Sequence, residues 1–153
     1  QGDLGTYEDR IAVEDVMGRY VWAVDALDPD GYVAVFTEDA VIDSNGSISK
    51  GHAEIRKIVT SLIQRRDDNR AKGVPTSNLY HMISNVRVSQ DGNNLRTKAN
   101  FVTYRTKSGR TSRYMGEAHY LLEPVGEGFR IKHKRCVLDL DTLNDQGRLT
   151  IML

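Results

Sequence analysis

Leu79-Tyr80-His81-Met82-Ile83-Ser84-Asn85-Val86-Arg87-Val88-Ser89 is dense in β-branched, aromatic and aliphatic side chains, and it runs into Asp91-Gly92-Asn93-Asn94, a turn sequence. The same grammar recurs in Leu95 to Thr106, Thr111 to Glu123 and Phe129 to Leu138, with Lys107-Ser108-Gly109-Arg110 and Gly126-Glu127-Gly128 between them. Four long strands joined by short turns predict an antiparallel meander.

The residues before this block follow a different period. From 6 to 26, Val13, Val16, Met17, Tyr20, Val21 and Val24 recur at steps of three and four, and Thr6 with Asp9 three positions on forms a capping-box variant, so a helix is expected. Asp28-Pro29 restarts the chain as N-cap and first helical residue, and Tyr32, Val33 and Phe36 are expected as the buried side of a second, short helix. Ala40-Val41-Ile42 followed by Asp43-Ser44-Asn45-Gly46 reads as a short strand leaving through a hairpin-like turn. Ile55, Ile58, Val59, Leu62 and Ile63 return to helical spacing between Gly51 and about Arg66, whereas the charged stretch from Arg65 to Ser77, with Gly73 and Pro75, is expected as an exposed loop. Helices first and a meander afterwards predict an α+β fold, the helices packed on one face of a strongly curved sheet.

Composition narrows the function classes. The 153 residues carry 21 Lys+Arg and 21 Asp+Glu, but residues 1–50 hold eleven acids against three bases, so neutrality averages an acidic front and a basic remainder. Zero net charge argues against general nucleic-acid binding. No apolar run approaches the roughly 18 residues that span a bilayer. Gln1-Gly2-Asp3-Leu4-Gly5 has neither the basic nor the apolar region of a signal peptide, so a cytoplasmic setting is expected. The lone Cys136 excludes an intramolecular disulfide and a multi-cysteine zinc site. The chain lacks the GxGxxG, P-loop, HExxH and GxSxG motifs, and no His pairs with a second ligand at helical i, i+4 spacing. Neither a metal nor a cofactor is therefore expected. Any chemistry would fall to side-chain acids and bases.

Asp25 is the most informative of these, because it closes the first helix where the macrodipole opposes a carboxylate by about 0.3–1 kcal/mol. A positive or hydrogen-bonding partner would offset that conflict, while the alternative is a solvated Asp beside Asp28 and Asp30. His81, early in the first long strand, can face a central cavity, where a carboxylate such as Asp25 would orient its ring for proton abstraction. A structural His is the competing reading. Met115, Glu117 and His119 alternate along the third long strand and share one face, with Tyr114, Gly116, Ala118 and Tyr120 on the other; the alternation alone does not say which face is inside. Tyr20, Tyr32 and Tyr80 are candidate donors to a substrate carbonyl.

Four stretches together, Tyr20-Val21-Trp22-Ala23-Val24-Asp25, Val35-Phe36-Thr37-Glu38-Asp39-Ala40, Gly51-His52-Ala53-Glu54-Ile55-Arg56 and His81-Met82-Ile83-Ser84-Asn85, resemble the SnoaL-like group of the nuclear transport factor 2-like superfamily over almost the whole chain. The resemblance implies one domain over residues 1–153, a cystatin-like cone of three helices and a mainly antiparallel sheet enclosing a pocket, and homo-oligomers formed through the outer sheet face. Two branches compete. The branch similar to scytalone dehydratase implies a cofactor-independent lyase or isomerase, with Asp25 supporting His81 as general base and Glu117 standing where a second His would serve the leaving group. Tyr20, Trp22, Tyr32, Tyr80, Met115 and His119 would then line a site for a small hydrophobic, aromatic or polyketide-like molecule.

The other branch is the β subunit of ring-hydroxylating dioxygenases, which the second half resembles through His81 to Val88, Asn100-Phe101-Val102-Thr103-Tyr104-Arg105, Arg135-Cys136-Val137-Leu138-Asp139 and the ending Leu149-Thr150-Ile151-Met152-Leu153. It implies a non-catalytic subunit that binds a separate iron-bearing alpha subunit. Arg130, Lys132, Lys134 and the Leu149–Leu153 ending would then meet partner chains. A ligand-binding domain without turnover is the remaining alternative.

Overall fold

The computed structural model describes residues 5–139; the Leu149–Leu153 ending lies outside them. Helix α1 (Tyr7–Asp25) starts on a full capping box, in which the Asp9 N–H donates to Thr6 Oγ1 at 3.1 Å and the Thr6 N–H to the Asp9 carboxylate at 3.0 Å. Its buried face is Val13, Val16, Met17, Tyr20, Ala23 and Val24. Asp28 caps α2 (Pro29–Ala34) by accepting the Gly31 N–H at 3.1 Å. Phe36, expected from spacing on the buried side of this helix, is buried but opens β1 (Phe36–Ser44) instead. The sheet captures the chain there, since the Ile131 N–H donates to the Val35 carbonyl at 2.8 Å.

β1 turns into β2 (Ser47–Lys50) through Asn45 and Gly46, whose φ angles of 52° and 89° suit a two-residue hairpin turn. Helix α3 (Gly51–Ala71) runs five residues beyond the expected end, so the first half of the anticipated 65–77 loop is helical. The apolar period fades after Ile63, but no breaker occurs before Gly73 and a Gln64–Asp68 side-chain hydrogen bond of 2.9 Å supports the polar turns. The helix stops on a Schellman motif: the Gly73 N–H donates to the Arg70 carbonyl, the Val74 N–H to that of Asn69, and Gly73 holds a φ of 66°.

The meander follows as β3 (Asn78–Asp91), β4 (Asn94–Lys107), β5 (Arg110–Val125) and β6 (Gly128–Leu138). All six strands form one sheet ordered β2-β1-β6-β5-β4-β3, antiparallel except where β1 lies parallel to β6. The helices cover one face. On that face lie Leu95, Ala99, Phe101 and Thr103 of β4 and Tyr114, Ala118, Tyr120 and Leu122 of β5, all buried. Three register shifts interrupt the ladders, the first between Phe36 and Val41 of β1 against β6. In β3 the register shifts between Ser84 and Arg87, and Asn85 takes a left-handed φ of 56° there. Between β5 and β6, Leu121 pairs with His133 but Leu122 with Ile131, so Lys132 is the extra residue of a bulge.

Candidate functional site

Asp25 is the last residue of α1, and His81 is the fourth residue of β3, the strand on which that end of the helix rests. The structure brings them together. Asp25 Oδ1 is 2.5 Å from His81 Nδ1, and Oδ2 accepts the His81 backbone N–H at 2.9 Å. The His81 side chain is 4% exposed and that of Asp25 16%, so both bonds form largely out of water. Two donors on one carboxylate offset the unfavourable helix terminus, since a hydrogen bond to a charged group is worth about 1.5–3 kcal/mol. The acceptor-only carboxylate requires the proton on Nδ1, and in the neutral ring Nε2 is then the acceptor.

Tyr20, Tyr32, Phe36 and Tyr114 are each at most 1% exposed. The Tyr20 ring stands edge-on to His81 at 6.3 Å and 5.5 Å from Tyr32. Burial is the largest effect on both phenols and pushes each well above the ordinary tyrosine range. His81, Thr103 and Tyr114 are successive cross-strand partners on β3, β4 and β5. Among the described residues, the buried hydroxyls of Thr103 and Tyr114 have no hydrogen-bond partner.

Lys134 is the residue that sequence reasoning misplaced. Expected on a partner-facing surface with Arg130 and Lys132, it is 1% exposed, donates to the Tyr20 hydroxyl at 2.6 Å and stands 4.4 Å from that ring's centroid. The bulge at Lys132 is the reason, because one extra residue turns Lys134, Cys136 and Leu138 inward.

Other expected site residues lie elsewhere. Tyr114, Ala118 and Tyr120 take the inner face of β5, which puts Met115, Glu117 and His119 on the outer face. There the Glu117 side chain is 63% exposed and 3.3 Å from His119. Met115 and Glu117 line an outer groove of about 560 Å³, across the sheet from His81, so Glu117 is not placed to share a substrate with that ring. Trp22 points off α1 into solvent at 78% exposed, and Tyr80, next to the inward His81, faces outward at 48%. Only one alternation separates the two faces of a strand, and the tertiary packing chose.

A cavity of about 260 Å³ opens at the rim, where the end of α1, the last turns of α3, residues 76–79 and Arg105 meet. It touches Asp25 and is lined by Arg65, Arg66, Arg70 and Arg105, none of them a candidate site residue from the sequence. Among the described residues, no group of three His, Cys, Asp or Glu side chains is arranged to hold a metal ion, and no helix is long and apolar enough to cross a membrane.

Helices stacked on the inner face of a curved sheet, with an Asp–His pair tying the first helix to the first long strand, define the class as a cystatin-like α+β cone. The chain matches the SnoaL-like domain family over residues 5–135 and belongs to it. It is 29% identical to the small oxygenase component of the p-cumate 2,3-dioxygenase system of Pseudomonas putida, over 99% of this chain and 91% of that protein. The small subunit of anthranilate 1,2-dioxygenase from Acinetobacter baylyi is 27% identical over 91% of this chain and 92% of its own. Among solved structures, one described as a putative aromatic ring hydroxylase from Novosphingobium aromaticivorans superposes with a TM-score of 0.72 at 26% identity, covering 90% of this chain and 98% of that one.

Proposed function

We propose that this chain is the small, non-catalytic subunit of an aromatic-ring-hydroxylating dioxygenase, binding a separate alpha subunit that carries the iron centres. The observation that carries this reading is the near end-to-end likeness to two small dioxygenase components. The geometry supports it, because the His81-x-x-Ser84-Asn85 motif has structural work at both ends. His81 receives the Asp25 staple, and Asn85 takes the left-handed bulge position and donates to Asn100 Oδ1 at 2.9 Å. Both relatives are named for aromatic carboxylates, so an aromatic carboxylate is the substrate class we assign to the assembled enzyme. Purification from the native host tests the reading. An iron-containing chain co-eluting in stoichiometric amount is expected, and a lone homo-oligomer would overturn it.

A second reading is favoured by the buried Asp25–His81 pair and the orphan hydroxyls of Thr103 and Tyr114 in register with it. Here His81 Nε2 removes a proton beside a carbonyl while Asp25 stabilises the imidazolium, as in a lyase or isomerase. His81→Ala and Asp25→Asn variants that fold would then lose turnover of an identified substrate by about 10²-fold or more. Unchanged turnover sinks this reading and leaves the staple purely structural.

A further inference from the structure

The rim cavity unites features that neither reading uses. Four arginines from two separated elements line about 260 Å³: Arg65, Arg66 and Arg70 from the last turns of α3, and Arg105 from β4. Cations at a helix C-terminus are favoured by the macrodipole, which accounts for Arg70 but not for a strand arginine meeting it. Arg105 is held in place, with its guanidinium 5.9 Å from the Tyr114 ring centroid. Arg66 is shared with Asp67 at 3.1 Å, whereas Arg65 and Arg70 make no ion pair among the described residues. The one acid among the described lining residues, Asp25, already has both oxygens engaged by His81. Among the described residues, Arg65 and Arg70 therefore bring unmatched positive charge to the cavity. Its remaining wall includes Leu27, Leu62 and Leu79, an apolar surface against which a flat hydrocarbon can lie.

We infer that this cavity binds a small organic carboxylate, its head group forked between arginines of α3 and its apolar body against the three leucines. Planar guanidinium groups match a carboxylate bidentately, and a volume just below the usual 300–1,000 Å³ of drug-sized pockets limits the ligand to about one ring. The inference stands on the cavity alone and does not depend on which reading of the chain's function holds.

Titration of the isotope-labelled full chain with sodium benzoate, followed by amide chemical shifts, tests it. Benzoate is expected to shift the amides of residues 69–70 and 76–79 saturably, with affinity falling as salt is added. Benzamide, the neutral analogue, should bind at least about tenfold more weakly, and inorganic phosphate should not match benzoate because it has no body for the leucine wall. The Arg65→Gln/Arg70→Gln double variant should weaken benzoate at least about tenfold while leaving shifts elsewhere in place. Equal binding of benzamide, equal binding of phosphate, an unaffected double variant, or shifts clustered on the outer sheet face would each overturn the proposal. The benzamide and phosphate comparisons use the unaltered chain, so they decide the matter even if the double variant fails to fold.

Discussion

Asp25 and Lys134 are the two charged residues whose surroundings run against their local rules, and each is resolved by a partner far away in sequence. Asp25 opposes its helix dipole but gains two donors from His81, 56 residues on. Lys134 loses its hydration but gains the Tyr20 hydroxyl, 114 residues back. Replacing Lys134 with Met, which keeps the stem and removes the charge, is expected to cost under about 1.5 kcal/mol in urea unfolding. Lys134→Ala should cost about 2–5 kcal/mol, because a cavity is added. Equal costs would mean that the ammonium, not the stem, holds the core. The buried phenols give a pH signature. Burial raises Tyr20 and Tyr32 above their unfolded value of about 10, so the neutral form is favoured in the folded state. Their contribution is fully present below about pH 10 and lost as pH rises beyond it, and alkaline titration should ionise them only with unfolding.

At the scale of elements, α1 and α3 both end on a Schellman motif, since the Asp28 N–H donates to the Ala23 carbonyl and the Leu27 N–H to that of Val24, with Leu27 at a φ of 53° where α3 uses Gly73. α1 depends on its capping box, and Thr6→Ala is expected to cost about 1 kcal/mol in urea unfolding. The Thr6 backbone N–H, with Gln90 beside it, holds the Asp9 carboxyl below its usual value. That contribution is present above the unfolded carboxylate range and fades as pH falls through it, so the wild type should lose helix-end stability in acid while Asp9→Asn shows a flatter pH profile. α3 ends where Gly73 can adopt a positive φ, and the sequence displayed that signal plainly. The expected end at Arg66 came from fading apolar spacing, which reports the loss of a buried face rather than the loss of a helix. The bounds of β3 to β6 were legible to within two residues because each turn announced itself by glycine, whereas β1 starts four residues before the expected Ala40 and β2 was not expected as a strand. The bulge at Lys132 was not, since an extra residue in a ladder leaves no mark in composition.

Across the whole molecule, the acidic first 50 residues do not form one layer, because they supply β1 and β2 to the sheet as well as α1 and α2. Asp25–His81 and Asp30–Arg56 join the two regions, whereas Arg19–Asp15, Arg96–Asp91 and Lys132–Glu123 stay within one. Charged side chains outside these pairs can steer partner chains of complementary potential. Association with the proposed alpha subunit should accordingly slow between about 0.1 M and about 1 M salt in stopped-flow mixing, and a salt-independent rate would assign the docking to apolar contact instead. The sequence by itself determined the α+β class, the order of elements except β2, the N-terminal caps of α1 and α2, the turns of the meander, and the family, because these depend on periods and signals spanning only a few residues. Only the tertiary structure decided which face of β5 is inside, that Lys134 is buried, that Glu117 and His81 are on opposite sides of the sheet, and that four arginines share one cavity. Each of those depends on register and on contacts between residues distant in the chain, where a single bulge exchanges inside for outside.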